Sequence, residues 1–106
     1  MKMRDESFGP IIGIMKMSGD ERELVRYFND NEYGLTAAVF SKSQEVATSL
    51  LSKVNYGQVY WNCCDRVSPR MPWAGRGHSG VGCTLGIEGI QAFTHTKSWH
   101  LKNVYA

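Results

Sequence analysis

Short apolar runs alternate with amphipathic stretches over the first sixty residues of the chain. Residues 11–17 form a nearly continuous apolar run bounded by turn-forming residues, which is typical of a strand covered on both faces. Two further apolar runs, at residues 35–40 and 58–61, have the same character. The pattern therefore predicts three strands.

Between these runs, apolar residues recur at helical spacing. Each stretch begins with a capping-box signature, Ser18 to Glu21 in the first and Ser41 to Gln44 in the second. The apolar positions that follow are Leu24, Val25 and Phe28 in the first stretch and Val46, Ala47, Leu50, Leu51 and Val54 in the second. Strand, helix, strand, helix, strand is the order of a parallel βαβαβ sheet with crossover helices, so the predicted fold class is α/β.

The chain changes character after residue 62. A loop rich in Gly, Pro and Arg extends to residue 82, and loops of that length in compact domains are usually functional. The apolar positions within residues 84–93 predict a short helix. In residues 96–102 polar and apolar side chains alternate weakly, which predicts a lone C-terminal strand. Such a strand needs a sheet to join, which favours a homo-oligomer held through Thr96, Trp99 and Leu101.

Composition narrows the class of protein. A chain of 106 residues is the size of one small domain, and 42% hydrophobic with 21% charged residues is ordinary globular usage. A net charge of +2 from scattered Lys and Arg argues against nucleic-acid binding. No apolar stretch approaches the roughly 20 residues that span a bilayer, and the first residues lack a secretory core. We therefore expect a cytoplasmic protein with neither nucleic-acid nor membrane partners.

Three cysteines raise hypotheses of a disulfide, a nucleophile or a metal site. Cys63 and Cys64 are adjacent, which strains a mutual bridge and leaves Cys83 as the only intramolecular partner, so free thiols in a reducing compartment are simpler. An independent thiol enzyme built on Cys63 or Cys64 lacks a histidine nearby in sequence, and buried free cysteines are usually inert. The spacing of Cys and His fits no zinc motif, so no metal is predicted.

Residues 75–80 fit the pattern G-x-G-x-x-G. The dinucleotide fingerprint requires a strand immediately before it and an acidic residue about 20 positions later. Here Pro72 and a polar loop precede it, and Glu88 follows too early. The pattern therefore favours a tight turn over a pyrophosphate site.

Three segments together resemble the C-terminal part of the aldehyde dehydrogenase superfamily, over nearly the whole chain. They are Glu6-Ser7-Phe8-Gly9-Pro10, Asn31-Glu32-Tyr33-Gly34-Leu35-Thr36 and Ser79-Gly80-Val81-Gly82. The resemblance implies the NAD(P)-dependent oxidation of an aldehyde to a carboxylic acid, with residues 1–106 as one partial catalytic domain. It also implies that Glu6 and Phe8 hold the nicotinamide ribose and ring. If the segment is extended, alternate side chains share a face, which suits that pairing.

The resemblance further implies a wall of the aldehyde tunnel after the third strand. By matching, its residues are Asn62, Cys64, Asp65, Val67 and Trp73. Trp73 stands where Phe is commoner in the family, and residues 66–71 depart from the commonest pattern. The resemblance therefore does not identify which aldehyde is the substrate.

The family's nucleophilic cysteine and general-base glutamate lie upstream of E-x-F-G-P, and only five residues precede Glu6. The resemblance thus predicts no catalytic residue here, no activity of this chain alone, and no tight binding of NAD or NADP. It suggests a complementing N-terminal dehydrogenase chain as a partner. The alternative is a non-catalytic assembly module that oligomerises or joins a longer dehydrogenase subunit. NAD and NADP are not distinguished, because the family's discriminating residues also lie upstream.

Overall fold

The computed structural model describes residues 5–64 and 66–105. Its elements are α1 (Glu21–Asn29), β1 (Thr36–Val39), α2 (Gln44–Leu51), β2 (Gln58–Trp61) and α3 (Gly86–Gln91). β1 and β2 are parallel and are joined through α2, so the α/β class is confirmed. In this range no helix combines the length and apolar content needed to cross a bilayer.

The two strands form one parallel ladder. Thr36 pairs with Gln58 at one end and Val39 with Trp61 at the other. The ladder continues beyond the strands where the Asn62 N–H donates to the Val39 carbonyl at 3.0 Å. Both carboxyl ends therefore lie at the same edge of the sheet.

Helix α2 covers the sheet and supplies most of the core. Its N-cap is Ser43, whose hydroxyl accepts a hydrogen bond from the Val46 N–H at 3.3 Å, two residues after the predicted cap at Ser41. The buried apolar residues of the described chain are Ala37, Ala47, Leu50 and Leu51. The predicted stripe is thus confirmed at its centre, while Val46 lies outside it and is 60% exposed.

Helix α1 also begins later than its capping box predicts. Its N-cap is Asp20, whose carboxylate accepts from the Arg22 N–H at 3.3 Å. Ser18 instead donates its hydroxyl to Glu23 and accepts from the Asp20 N–H at 3.2 Å. An aspartate can accept hydrogen bonds from the first-turn amides as a serine can, and Asp20 is the nearer residue, so it is the N-cap in place of Ser18.

A polar cluster joins α1 to the end of α2. The Lys53 ammonium lies 2.6 Å from the Glu21 carboxylate, and the Ser49 hydroxyl donates to the same oxygen at 2.9 Å. The hydrogen bond from Lys53, followed by that from Ser49, lowers the pKa of the Glu21 carboxyl. A carboxyl with a depressed folded pKa stabilises the fold above its unfolded pKa and loses that contribution as pH falls through the folded pKa.

We expect Glu21→Gln to lower the urea midpoint modestly at neutral pH, because both side chains of the pair are about half exposed. The gap between parent and variant should close as the pH falls below the lowered pKa of Glu21. Glu45→Gln removes an exposed carboxyl from α2 and is the matched control. Equal midpoints for parent and Glu21→Gln at neutral pH would contradict this assignment.

The predicted first strand is not formed. Residues 11–17 adopt no strand or helix, and Ile11, Ile12 and Ile14 are 64, 88 and 95% exposed. The sheet of the described residues therefore has two strands in place of the predicted three. An apolar strand forms only beside a partner, and no described segment pairs with this one.

The C-terminal region shows the same behaviour. Residues 96–102 form no strand within the described chain, and Trp99 and Leu101 are 71 and 81% exposed. Helix α3 is shorter than predicted, and its Ile87 and Ile90 face solvent. Pairing of the tail with another subunit remains a prediction.

The chain is far more open than a self-sufficient domain of its length. Its radius of gyration is 19.8 Å, whereas a compact chain of this length has about 13 Å. Its accessible surface is 9452 Å², against about 5,900 Å² for a folded monomer of this mass. The excess is roughly 3,500 Å².

Candidate functional site

The carboxyl edge of the two-stranded sheet is the first candidate site, because α/β proteins bind ligands beyond the carboxyl ends of parallel strands. Asn62 directly follows β2 and has a left-handed backbone, with φ of 53°, which asparagine tolerates. Its side-chain oxygen accepts from the Ser41 N–H at 2.9 Å, and its amide donates to the Ser41 carbonyl at 3.0 Å. The Trp61 indole donates to that carbonyl at 3.0 Å. Asn62 therefore shapes this edge by tying the two strand ends together.

The described residues after Asn62 differ in exposure. Cys63 is partly buried, Cys64 is exposed, and Val67 is 60% exposed. Asp65, a predicted tunnel residue, lies outside the described residues. Cys64 and Val67 thus have free side chains beside a fixed strand end.

Trp73 stands at the far end of the predicted wall and is partly buried. Its backbone forms an antiparallel bridge with Thr84, with N–H to carbonyl distances of 2.6 and 2.9 Å. The buried Gln58 side chain donates to the Pro72 carbonyl at 3.2 Å and so attaches this loop to β2. The hydrophobic pattern does not single out Gln58, although a polar residue at the start of an apolar strand is a signal for such a role.

The glycine-rich stretch folds onto the chain before β1. The Arg76 N–H donates to the Gly34 carbonyl at 3.0 Å, and the His78 N–H donates to the Glu32 carbonyl at 2.7 Å. Gly77 has φ of 54°, and a Cβ there would lie 2.2 Å from the Glu32 oxygen. These N–H groups bond to protein carbonyls, as a tight turn requires and a phosphate cradle does not. The tight-turn prediction is confirmed.

A side chain from the same stretch completes that contact. The Ser79 hydroxyl accepts from the Gly34 N–H at 3.0 Å. The His78 imidazole lies 3.3 Å from the Glu32 carboxylate and meets the Tyr33 ring edge-on at 5.9 Å between centroids. Two of the segments that carry the family resemblance, 31–36 and 79–82, are therefore packed together around Gly34.

Glu6 and Phe8 lie in the N-terminal segment, away from the wall. Both are exposed, Phe8 to 93%, and neither makes a hydrogen bond or ring contact with residues 62–73 in the described chain. Phe8 has φ of 40°, so the segment is not the regular extended strand that would place alternate side chains on one face. Their role toward NAD stays a prediction.

Glu6 also borders a cavity of about 640 Å³. The residues that line it are Asp5, Glu6, Asn29, Asp30, Asn31, Glu32 and Tyr33. A carboxylate can accept hydrogen bonds from ribose hydroxyls, and an exposed ring can cover a nicotinamide, so the chemistry of Glu6 and Phe8 fits that half of NAD. The crowding of carboxylates at this cavity suits hydroxyl groups better than phosphates.

None of the three cysteine thiols has a base beside it in the described residues. Cys63, Cys64 and Cys83 are free, and no histidine or carboxylate is hydrogen-bonded to any of them. Within residues 5–64 and 66–105, no cluster of three or more His, Cys, Asp and Glu side chains could hold a metal ion.

Comparisons with known proteins agree on one family. The aldehyde dehydrogenase family profile matches residues 2–99. The chain is 38% identical over 99 residues to "Aldehyde dehydrogenase, mitochondrial" of Mesocricetus auratus and of Homo sapiens, which covers 93% of the chain. It spans about a fifth of those relatives, 20% and 19% of their lengths.

A solved structure extends the likeness to the fold. Betaine aldehyde dehydrogenase from Staphylococcus aureus, in complex with NAD+, superposes with a TM-score of 0.84 at 31% identity. The match covers 97% of this chain and 22% of that enzyme. NAD is thus a cofactor of solved relatives of this chain.

Proposed function

The chain belongs to the aldehyde dehydrogenase family, and we propose that it forms the C-terminal part of a catalytic domain that oxidises aldehydes with NAD(P). The observation that supports this most directly is the match of 97% of the chain to one segment of an NAD-bound relative. The coupled strand ends at Ser41 and Asn62 lie where ligands bind in α/β proteins.

The proposed tunnel wall extends along residues 62–73. Asn62 holds its start in place, Cys64 and Val67 offer exposed side chains, and the Thr84 bridge fixes Trp73 at its end. Asp65 is included on the family resemblance alone. The apolar side chains of Val67 and Trp73 would help to exclude water from a reacting aldehyde.

We assign the nicotinamide contact to Glu6 and Phe8. When bound, NAD(P) supplies the hydride acceptor. Glu6 would accept hydrogen bonds from ribose hydroxyls, and Phe8 would cover one face of the ring. Two residues reach only half of the dinucleotide, so we expect the isolated chain to bind free NAD more weakly than the micromolar range by calorimetry.

The nucleophile, in this proposal, comes from polypeptide outside these 106 residues. Support comes from the three free thiols, none of which has a base hydrogen-bonded to it in the described chain. The exposed apolar surface supports the same proposal, because residues 11–17 and 96–102 pair with no strand among the described residues. Residues 11–17 would become the third strand beside an upstream segment.

The second candidate function is assembly. Residues 96–102 would join the sheet of another subunit through Thr96, Trp99 and Leu101, which gives a homo-oligomer or a complex with a longer dehydrogenase subunit. Exposed Trp99 and Leu101 on a segment without internal pairing favour this role. Free thiols suit a reducing compartment, and we propose the cytoplasm.

Replacement of the matched C-terminal segment of the Staphylococcus aureus enzyme by this chain tests the proposal. The hybrid should form NADH from an aldehyde, whereas the purified chain and the truncated enzyme, assayed separately, should not. Removing a nucleophile lowers the rate by many orders of magnitude, so NADH formation should be measurable for the hybrid and undetectable for either part alone. Turnover by the chain alone that depends on Cys63 or Cys64, or a folded hybrid without activity, would refute it.

A further inference from the structure

Two arginines in the proposed tunnel wall have no assigned role. Arg66 and Arg70 are both exposed, and in the described chain neither guanidinium takes part in an ion pair, a hydrogen bond or a ring contact. Residues 62–73 contain one acidic residue, Asp65, against these two arginines, so the segment has a net charge of 2 − 1 = +1. An unpaired guanidinium is a ready donor to a carboxylate or phosphate.

The backbone beneath these arginines is held at several points. The Tyr60 hydroxyl donates to the Arg66 carbonyl at 3.2 Å. A turn follows, in which the Met71 N–H donates to the Ser68 carbonyl at 3.2 Å. The Gly86 N–H then donates to the Pro69 carbonyl at 3.1 Å. The backbone that carries both side chains is therefore held in place, which lowers the entropic cost of binding a ligand at this segment.

Apolar side chains are interleaved with the two charges. Val67 is 60% exposed and Met71 is 61% exposed, and Trp73 follows two positions later. A short hydrocarbon chain could cover these residues while an anionic end group reaches a guanidinium. That combination matches an aldehyde with a second, negatively charged end.

We propose that Arg66 and Arg70 bind the anionic group of the substrate, so that the wall selects aldehydes bearing a carboxylate or phosphate over neutral aldehydes of the same length. Guanidinium groups bind both anions through paired N–H donors. The claim that the bound anion also carries an aldehyde rests on the proposed function, whereas anion binding is a property of the 106-residue chain itself. The two parts can be tested separately.

The first test uses the chain alone and amide NMR shifts. Titration with glutarate should move signals of residues 62–73, and titration with glutaramide, its neutral analogue, should not. Arg66→Gln and Arg70→Gln should each weaken glutarate binding about threefold, and higher ionic strength should weaken it further. Arg22→Gln makes the same change on α1 and should leave binding unaltered. n-Propyl phosphate in place of glutarate shows which anion is preferred.

Two outcomes of this titration would overturn the anion site. One is the absence of glutarate-dependent shifts in residues 62–73, and the other is equal binding by the Arg22→Gln and Arg66→Gln variants. Because the arginines are exposed, the variants should retain the parent spectrum elsewhere, which confirms that their fold is intact.

The second test uses the active hybrid enzyme. The ratio of kcat/KM for succinic semialdehyde to that for butanal should exceed about 10, and the Arg66→Gln/Arg70→Gln pair should reduce that ratio at least fivefold. A hybrid that oxidises butanal without favouring the semialdehyde would contradict the assignment of an anionic substrate and would still support the proposed function. A folded hybrid that oxidises neither aldehyde counts against the proposed function, while the glutarate titration still decides whether the anion site exists.

Discussion

Gly57→Ala is expected to abolish the cooperative thermal transition of the chain at temperatures where the parent is folded. A Cβ at this position would lie 1.7 Å from the Ala74 carbonyl oxygen and 2.6 Å from its carbon, both backbone atoms. The Gly57 N–H also donates to the Gly34 carbonyl at 2.9 Å, which holds residue 57 in place just before β2. No side-chain rotation relieves such a clash, and the backbone must move.

The expected cost is about 3 kcal/mol or more, the upper range for overpacking a close contact. That is a large fraction of the ~5 kcal/mol at the lower end of domain stabilities, where a chain with so small a core belongs. Movement at residue 57 would also displace β2 and the loop that Gln58 attaches to it. Circular dichroism against temperature measures the loss.

Gly13→Ala is the control for this prediction. A Cβ at residue 13 meets no atom within 4 Å, and the residue lies in the exposed N-terminal segment. The same chemical change there should leave the transition where it is or raise it slightly. A parent-like transition in Gly57→Ala would show that the close approach of the Ala74 backbone is wrong.

Local pattern was sufficient where both partners of an element lie in this chain. β2 is observed at the predicted residues, and β1 lies within the predicted run 35–40, because each strand finds the other across α2. Residues 11–17 carry an equally strong strand pattern and form none. An apolar run indicates that a segment prefers to be buried, but it does not identify the segment that buries it.

In the candidate site, too, the sequence predicted some residues and not the contacts through which they act. Asn62 was predicted as part of the wall from the family resemblance, yet its contribution depends on Ser41, 21 residues earlier. Gln58 and Ser79 also act through distant backbone groups, at Pro72 and Gly34. Such contacts follow from the register of the strands and the path of the loop, which periodicity and short motifs do not encode.

Deletion of residues 96–106 is expected to convert an oligomer into monomer or aggregate. Trp99 and Leu101 are 71 and 81% exposed in the described chain, and their segment forms no strand there. Burying two such side chains in a subunit contact should contribute about 3 kcal/mol or more. Losing that contribution weakens association more than 100-fold.

Sedimentation velocity across micromolar concentrations measures the change, and the full chain should sediment as a dimer or larger species. Trp99→Ser/Leu101→Ser tests the same contact without shortening the chain, because a tail that pairs only through its backbone would tolerate the pair of substitutions. Lys102→Ser is the control, since it alters a neighbouring exposed residue without removing apolar surface. A monodisperse monomer of the full chain throughout that concentration range would rule out this tail as a subunit contact.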